Sequence, residues 1–180
     1  YCGGPMSQCQ LILGGARSGK SRLAEQLATE TDLEVVYIAT AQAQDAEMQA
    51  RILQHQQQRP AHWLLIEEPI QLAQVLQQAA RDERCLLVDC LTLWLTNLLL
   101  SDEPQLLEQQ LTALYECIAE LPGQLILVSN ETGLGIVPLG ELSRRYVDQA
   151  GWMHQRLAQL SQRVIFTVAG LPHVLKGAAW

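Results

Sequence analysis

The sequence carries little positive charge. Its 12 lysine and arginine residues face 19 aspartate and glutamate residues, so the formal net charge at pH 7 is −7. Lysine itself is rare and occurs only at Lys20 and Lys176. A chain of this charge has no general electrostatic attraction to nucleic acid or to an anionic membrane surface. We therefore expect no nucleic-acid partner, and any phosphate binding has to be local.

Long apolar runs and paired cysteines are also missing. The longest apolar stretch, residues 85–100, is shorter than a membrane span and is interrupted by Asp89 and Asn97. No segment resembles a signal peptide, and the five cysteines include no Cys-x-x-Cys pair. These absences favour reduced thiols in a cytoplasmic protein without a membrane span. The length suits a single domain, 1–180, in which we interpret residues 1–5 as a non-native or disordered start.

What is present is a complete phosphate-binding loop. Residues 14–21 read Gly-Gly-Ala-Arg-Ser-Gly-Lys-Ser, between the apolar residues 11–13 and a helical pattern that starts at Arg22. The backbone N–H groups of such a loop surround phosphates, and the following helix adds its positive amino end. Lys20 is expected to reach the β- and γ-phosphates, and Ser21 to bind Mg²⁺. The whole loop is predicted to bind nucleotide: Gly14, Gly15, Ala16, Arg17, Ser18, Gly19, Lys20 and Ser21.

Short apolar segments alternate with helical patterns along the chain. Strands are predicted at 10–13, 34–39, 63–66, 84–88, 124–128 and 164–168, the last of these being the final strand of the chain. Helices are predicted at 20–29, 43–58, 70–81, 91–100 and 104–120, and residues 139–160 are predicted to form one long helix or a helix pair. Short apolar strands separated by helices belong to a mostly parallel central sheet with helices on both faces, which is an α/β fold.

Two polar segments directly follow predicted strands. Asp89 ends the apolar strand 84–88, which we expect beside the phosphate loop, and a carboxylate in that place holds Mg²⁺. Residues 129–138 read Ser-Asn-Glu-Thr-Gly-Leu-Gly-Ile-Val-Pro and follow the strand 124–128. Polar groups at the carboxyl end of a parallel strand face the ligand crevice. A plain strand-to-helix connection explains the second segment equally well.

One predicted helix carries a histidine in a charged row. Glu47, Arg51 and His55 recur at four-residue spacing, which places them on one helical face. Met48 and Ile52 repeat on the neighbouring face and are expected to dock the helix. Cationic neighbours favour a neutral imidazole, which is a nucleophile toward phosphorus. Spacing alone nevertheless favours a solvated helix face with a surface histidine.

Six segments fit together as an ordered set. They are residues 14–21, 37–40, 45–48, 51–55, 59–63 and 130–138. Together they closely resemble the bifunctional adenosylcobinamide kinase / adenosylcobinamide-phosphate guanylyltransferase family. The resemblance covers residues 10–168, nearly the whole chain, and only the phosphate loop is diagnostic by itself. It implies the RecA-like branch of the P-loop NTPase fold. It also implies a homo-oligomer, which in this family is commonly a trimer.

The resemblance implies two successive reactions. The first phosphorylates the aminopropanol hydroxyl of adenosylcobinamide with ATP or GTP. The second transfers GMP from GTP through a histidine to adenosylcobinamide phosphate and gives adenosylcobinamide-GDP. The position that matches the guanylylated histidine is His55, and we assign charge-stabilising roles to Lys20 and Arg51. Ser21 and Asp89 are the expected ligands of the Mg²⁺ cofactor.

Three further positions bear on these reactions. Glu67, after the strand 63–66, is expected in the nucleotide site and is the candidate general base of the kinase reaction. Gln54 stands where some relatives have a second histidine, so no neighbouring histidine can replace His55. The family often has asparagine where this chain has His154, which would alter any ligand contact made there.

Two other classes of protein share the phosphate loop. A small-molecule P-loop kinase without nucleotidyl transfer explains the loop and Asp89, but it leaves the charged row of Glu47, Arg51 and His55 unused. A nucleotide-operated switch is disfavoured, because the sequence has no Asn-Lys-x-Asp motif of the kind that such switches use to read guanine.

Overall fold

The computed structural model describes residues 8–42 and 46–180. The predicted start, residues 1–5, and the first three residues of the predicted second helix, 43–45, lie outside the described residues. The elements, in chain order, are β1 (Gln8–Gly14), α1 (Lys20–Glu30), β2 (Glu34–Ala39), α2 (Ala46–Gln58), β3 (Leu64–Glu67), α3 (Leu72–Ala79), β4 (Arg84–Asp89), α4 (Leu91–Leu99), α5 (Leu106–Ile118), β5 (Gln124–Asn130), α6 (Glu141–Leu160), β6 (Arg163–Val168) and β7 (Leu171–Lys176).

Within the described ranges, the strands form one seven-stranded sheet in the order β3-β2-β4-β5-β1-β6-β7. The strands from β3 to β6 in this order are parallel, and β7 is antiparallel to β6. Parallel strands end at the same edge of a sheet. Gly14 at the end of β1 pairs with Asn130, and Asp89 at the end of β4 pairs with Val128. The polar segments identified in the sequence therefore meet at one edge.

Helices cover both faces of the sheet. Successive strand residues point to opposite faces, so Leu11 and Leu13 of β1 pack in the core under α3 to α6, whereas Ile12 packs in the core under α1. Trp94 and Leu95 of α4 are fully buried, as the apolar run of that helix predicted. The predicted α/β fold, mostly parallel and covered on both faces, is confirmed.

The strand β6 is not the last one, contrary to the sequence prediction. β7 turns back and pairs with β6 through a two-residue connection, Ala169 and Gly170. Their φ angles are 52° and 76°, as both central residues of a type I′ turn require. Alanine is an uncommon choice for positive φ, and Pro172 interrupts the strand pattern. The hairpin therefore has a weak local sequence signal.

Two helices are shorter than predicted by two residues at each end, namely α3 and α5. Before α3, the Glu68 carboxylate accepts hydrogen bonds from the backbone N–H groups of Ile70 and Gln71, at 3.0 and 3.1 Å. These bonds stabilise a turn where the periodicity predicted helix. After α3, Ala80 is extended, with a ψ of 133°, which ends the helix before the predicted residue.

Two expectations from the sequence, one about membrane spans and one about the cysteines, are compared with the described part of the chain. None of its helices combines the length and the apolar character that a membrane crossing requires. Its cysteines are free and buried, as expected for reduced thiols, and burial raises the pKa of Cys9 and Cys90 to about 11. The free cysteines are Cys9, Cys85, Cys90 and Cys117.

Candidate active site

The phosphate loop connects the end of β1 to the start of α1. Gly19 caps the helix with a φ of 93°, and a Cβ atom at this position would lie 3.0 Å from the Cα atom of Gly170. Glycine is required for both reasons. The N–H group of Gly170 also donates to the Ser18 carbonyl at 2.7 Å. The β6–β7 turn, which no sequence pattern predicted, therefore supports the loop.

Lys20 lies in the first turn of α1 and is only 8% exposed. Its Nζ atom donates to the Gly15 carbonyl at 3.1 Å, which holds the side chain over the loop. Burial lowers the pKa of Lys20, and the negative charge of Asp89 acts in the opposite direction. The Asp89 carboxylate therefore contributes to the electrostatic environment of the ammonium group.

Asp89 ends β4, but β4 is not beside the strand that carries the loop. The strand β5 lies between β4 and β1, so the strand that ends in Asp89 does not pair with the strand that carries the loop. The Asp89 carboxylate accepts a hydrogen bond from the Tyr37 hydroxyl at 2.7 Å. Burial and then the charge of Asp89 raise the pKa of Tyr37, so the phenol remains protonated and keeps donating.

Glu25 of α1 is a second carboxylate in this region and was missed in the sequence. Burial raises the pKa of Glu25, Asp89 raises it further, and Arg59 lowers it. Asp89 and Arg59 therefore both act on the ionisation of Glu25. The signal that could have revealed Glu25 is its spacing of four residues from Ser21, which places both on one face of α1.

Helix α2 lies on the surface. No side chain along its length, residues 46–58, is buried, and the Met48 and Ile52 stripe that we expected to dock it is only partly buried. Arg51 donates to Glu47 at 2.9 Å, which is the predicted pairing of residues four apart. His55 follows one turn later and is exposed. The charged row therefore faces solvent.

The carboxyl end of α2 is fastened to β2. Arg59 lies just beyond the helix, as predicted, and its Nε atom donates to the His55 carbonyl at 3.0 Å. Its guanidinium carbon lies 3.7 Å from the ring centroid of Tyr37, a cation–π contact. Since Tyr37 donates to Asp89, direct contacts link the backbone of His55 to that carboxylate. No local pattern predicted this link, because Tyr37 and Arg59 are far apart in the chain.

Glu67 is exposed at the end of β3, on the outer strand of the sheet. Its register partner is Ala39 of β2. Four strand spacings of about 4.8 Å separate β3 from β1, so the two backbones are roughly 19 Å apart. The structure therefore brings Glu67 to the side of the sheet that carries α2 and does not bring it to the phosphate loop.

A buried polar network lies at the end of β5. The Ser129 hydroxyl is 2.7 Å from His154 Nε2 and 3.4 Å from the Thr92 hydroxyl. The other ring nitrogen, His154 Nδ1, faces the Glu131 carboxylate at 3.7 Å. Burial lowers the pKa of His154, and Glu131 opposes this shift. The backbone N–H group of Glu131 donates to the Gly14 carbonyl at 2.9 Å, which joins the network to the phosphate loop.

Comparison with known proteins identifies the family. A family model for cobinamide kinase / cobinamide phosphate guanyltransferase matches residues 10–175. The chain belongs to this family. The matched residues include both the phosphate loop and α2. The resemblance seen in the sequence is therefore confirmed.

Two curated relatives agree with membership of this guanyltransferase family. The bifunctional adenosylcobalamin biosynthesis protein CobP of Pseudomonas aeruginosa is 68% identical over 167 residues, which cover 93% of this chain and 96% of the relative. The bifunctional adenosylcobalamin biosynthesis protein CobU of Escherichia coli is 37% identical over 174 residues, which cover 89% of this chain and 96% of the relative.

The fold extends beyond the guanyltransferase family. The crystal structure of the flagellar accessory protein FlaH from Methanocaldococcus jannaschii superimposes with a TM-score of 0.56 at 16% identity. The match covers 97% of this chain and 80% of that chain. At this level of identity the likeness concerns the fold alone. It agrees with the predicted RecA-like arrangement of a P-loop NTPase.

Proposed function

We propose that this chain phosphorylates the hydroxyl group of adenosylcobinamide, with ATP or GTP as donor, and then attaches GMP to the product through a guanylyl intermediate at His55. The series of contacts that joins the phosphate-loop region to α2 carries this proposal. The charge of Asp89 acts on Lys20, Asp89 is hydrogen-bonded to Tyr37, and Tyr37 is stacked under Arg59, which donates to the His55 carbonyl. A kinase that transfers only the γ-phosphate does not require that α2, the helix carrying His55, be linked to the phosphate-loop region.

The nucleotide phosphates are proposed to lie on residues 14–21. Helix α1 begins at Lys20, directly after the loop, and the amino end of a helix attracts phosphate charge. Lys20 is buried, which strengthens its interaction with a phosphate charge. Both observations fit a triphosphate whose leaving group lies at Lys20 in either reaction.

Mg²⁺ fits the oxygen donors at this edge of the sheet. The Ser21 hydroxyl and the Asp89 carboxylate would hold the ion, which usually takes its remaining ligands from phosphates and water. Among the described residues, no group of three His, Cys, Asp or Glu side chains could hold a metal. When bound, the ion supplies positive charge that neutralises the phosphates.

The guanylyl step begins when a ring nitrogen of His55 attacks the α-phosphorus of GTP. An N–P bond forms, and the bond to the departing pyrophosphate breaks. Arg51, one turn before His55, is proposed to stabilise the charge on the transferring group. A phosphate oxygen of adenosylcobinamide phosphate then attacks the same phosphorus, the N–P bond breaks, and His55 is free again. Glu67 lies on this side of the sheet and is proposed to bind the nucleoside portion.

Covalent labelling tests the role of His55. The protein is incubated with GTP radioactive at the α-phosphate and analysed by denaturing electrophoresis. His55→Ala is expected to lose the label and to keep nucleotide binding, because only the attacking nitrogen is removed. His62→Ala is the matched control, since His62 is also exposed, and it is expected to keep the label.

The chemistry of the label separates the alternatives. A phosphoramidate is acid-labile and base-stable. Full labelling of the His55→Ala variant would remove His55 from the mechanism. A wild-type protein that phosphorylates adenosylcobinamide and takes up no label would leave the small-molecule P-loop kinase as the function.

A cytoplasmic homotrimer is also proposed, in line with the sequence resemblance. The buried free cysteines support a reducing compartment. The connection after β5 exposes Leu134, Ile136 and Leu139 by 79%, 98% and 95%, and grouped apolar side chains mark an interaction surface. Light scattering coupled to gel filtration is expected to give three times the 20.0 kDa chain mass. A monomer mass at every concentration would contradict the trimer.

A further inference from the structure

The kinase reaction requires a group that takes the proton of the acceptor hydroxyl. Glu67, the candidate from the sequence, is exposed on the outer strand and distant from the phosphate loop. We propose that Glu131 is the general base of the kinase reaction and that His154 is the residue that positions its carboxylate. This inference rests on the proposed function, because it concerns phosphorylation of adenosylcobinamide.

Glu131 is attached to the first residue of the phosphate loop. It directly follows β5, the strand between β1 and β4. Its backbone N–H group donates to the Gly14 carbonyl at 2.9 Å, and Asn130 pairs in register with Gly14. Its side chain is 23% exposed. The carboxylate is therefore held next to the phosphate site, and a substrate hydroxyl can still reach it.

Both oxygens of the carboxylate are oriented. One accepts a hydrogen bond from the Gly133 backbone N–H group at 2.7 Å. The other faces His154 Nδ1 at 3.7 Å. Each oxygen has a further lone pair, so the carboxylate keeps capacity to accept a proton while these contacts hold its direction.

His154 is itself held by a chain of buried groups. Thr92, Ser129 and His154 are 8%, 0% and 7% exposed. The Thr92 hydroxyl oxygen accepts from the Asn130 N–H group at 2.7 Å and lies 3.4 Å from the Ser129 hydroxyl. If Thr92 donates to Ser129 and Ser129 donates to His154 Nε2, every group is satisfied and Nδ1 carries the proton that faces Glu131.

The neutral state of His154 matters for this role. Burial lowers the pKa of His154, so the ring stays neutral near pH 7 and directs a dipole, not a full charge, at Glu131. A full positive charge there would stabilise the ionised carboxylate and weaken it as a base. Ser129 is fully buried, so the Ser129–His154–Glu131 arrangement has no accessible nucleophile and does not act as a hydrolytic triad.

Phosphoryl transfer to the hydroxyl exchanges one O–P bond for another and releases one proton. The hydroxyl oxygen of adenosylcobinamide attacks the γ-phosphorus, and a new O–P bond forms. The bond between the γ-phosphorus and the bridging oxygen breaks, and the nucleoside diphosphate leaves at Lys20. The hydroxyl proton passes to a Glu131 oxygen and later to solvent, because the side chain is partly exposed.

Kinase assays on four variants test the proposal, with γ-labelled ATP or GTP and adenosylcobinamide as substrates. In Glu131→Gln, the kinase kcat is expected to fall about 100-fold or more, while the KM for nucleotide and the α-label on His55 stay unchanged. The retained label also shows that the variant is folded. Glu141→Gln is the matched control, since Glu141 is exposed in the first turn of α6, and it is expected to behave as wild type.

His154 is tested by rescue. His154→Ala is expected to lower the kinase kcat about 10-fold without changing the KM for nucleotide. His154→Asn is expected to restore most of the loss, because an amide N–H group can replace Nδ1–H as the donor that faces Glu131. A merely structural role for the network predicts parallel losses of kcat, nucleotide binding and α-label in both His154 variants.

The outcomes separate this inference from the proposed function. If the wild-type protein has kinase activity and the kcat of Glu131→Gln lies within a factor of two of the wild-type kcat, the inference alone is overturned. Loss of nucleotide binding in Glu131→Gln would also overturn the inference alone. A wild-type protein that never phosphorylates adenosylcobinamide would overturn the kinase half of the proposed function, and this inference with it.

Discussion

The two regions of the candidate site are built in opposite ways. Around the phosphate loop, Lys20 is buried, the turn at Gly170 supports the backbone, and the end of β5 is bonded to Gly14. Helix α2 has no buried side chain along residues 46–58, and its histidine is exposed. Arg59 provides a defined link between the end of α2 and the sheet.

This difference matches the demands of the two proposed reactions. Both use the same phosphates on one loop, so that region benefits from rigid donors that need no reorganisation. The proposed nucleophile has to reach the α-phosphorus, carry GMP and then meet a second substrate. A surface helix held at its carboxyl end suits a group that receives and passes on a nucleotide.

The largest expected effect removes the part that the two reactions share. Lys20→Ala should lower both kinase activity and GMP labelling by about 100- to 1,000-fold, because the leaving group of each reaction loses a charged donor. Two quantities are measured: kcat for phosphoryl transfer, and the rate at which the protein takes up the label from GTP radioactive at the α-phosphate. Normal pyrophosphate release by this variant would contradict a shared phosphate site.

The next effect is confined to α2. Arg59→Ala removes the hydrogen bond to the His55 carbonyl and the contact over Tyr37, so GMP labelling should slow about 10-fold. Kinase activity should stay within about two-fold of wild type. Arg59→Lys keeps the charge but not the planar stacking, and an intermediate rate is expected.

The matched control for that comparison is Arg156→Ala. Arg156 lies over the ring of Tyr115 at 6.0 Å, away from the sheet edge, and its loss should change neither activity. Equal losses of kinase activity and labelling in Arg59→Ala would show that Arg59 acts on the whole site and not on α2.

The smallest effect concerns the residue that joins the two regions. Tyr37→Phe removes the 2.7 Å hydrogen bond to Asp89 and keeps the ring under Arg59. One such hydrogen bond contributes about 1 kcal/mol, so the Mg²⁺ concentration for half-maximal activity should rise about five-fold in both reactions. Titration of Mg²⁺ measures this shift, and Tyr115→Phe is the control. An unchanged Mg²⁺ requirement would place Asp89 outside the metal site.

Much of the fold was predictable because its signals are local. The loop motif, the apolar strands and the run of residues 91–100 all depend on neighbours in the sequence, and the structure confirms the elements that they predicted. The hairpin of β6 and β7 was not predicted, because Ala169 adopts a positive φ and alanine does not normally indicate that conformation. The start of α3 was misjudged because a turn stabilised by the Glu68 carboxylate replaced the periodic pattern, and its end because Ala80 is extended.

The candidate site was predictable only in part. Each side chain of the loop and the row of Glu47, Arg51 and His55 follow from spacing. The position of β4 relative to β1 depends on sheet order, which no local pattern encodes. The contacts of Arg59 and of His154 join residues that are distant in the chain, and their roles became visible only when the strands were placed side by side.

The amino-acid sequence alone determined the α/β class, the phosphate loop and, by resemblance, the enzyme family. Each of these depends on short segments with their own backbone and side-chain preferences. Tertiary structure decided which groups meet: Asp89 with Tyr37 and Arg59, and Glu131 with His154 and Gly14. The physical reason is that hydrogen bonds and charge interactions act over a few ångströms. The order in which parallel strands assemble determines which distant residues come within that range.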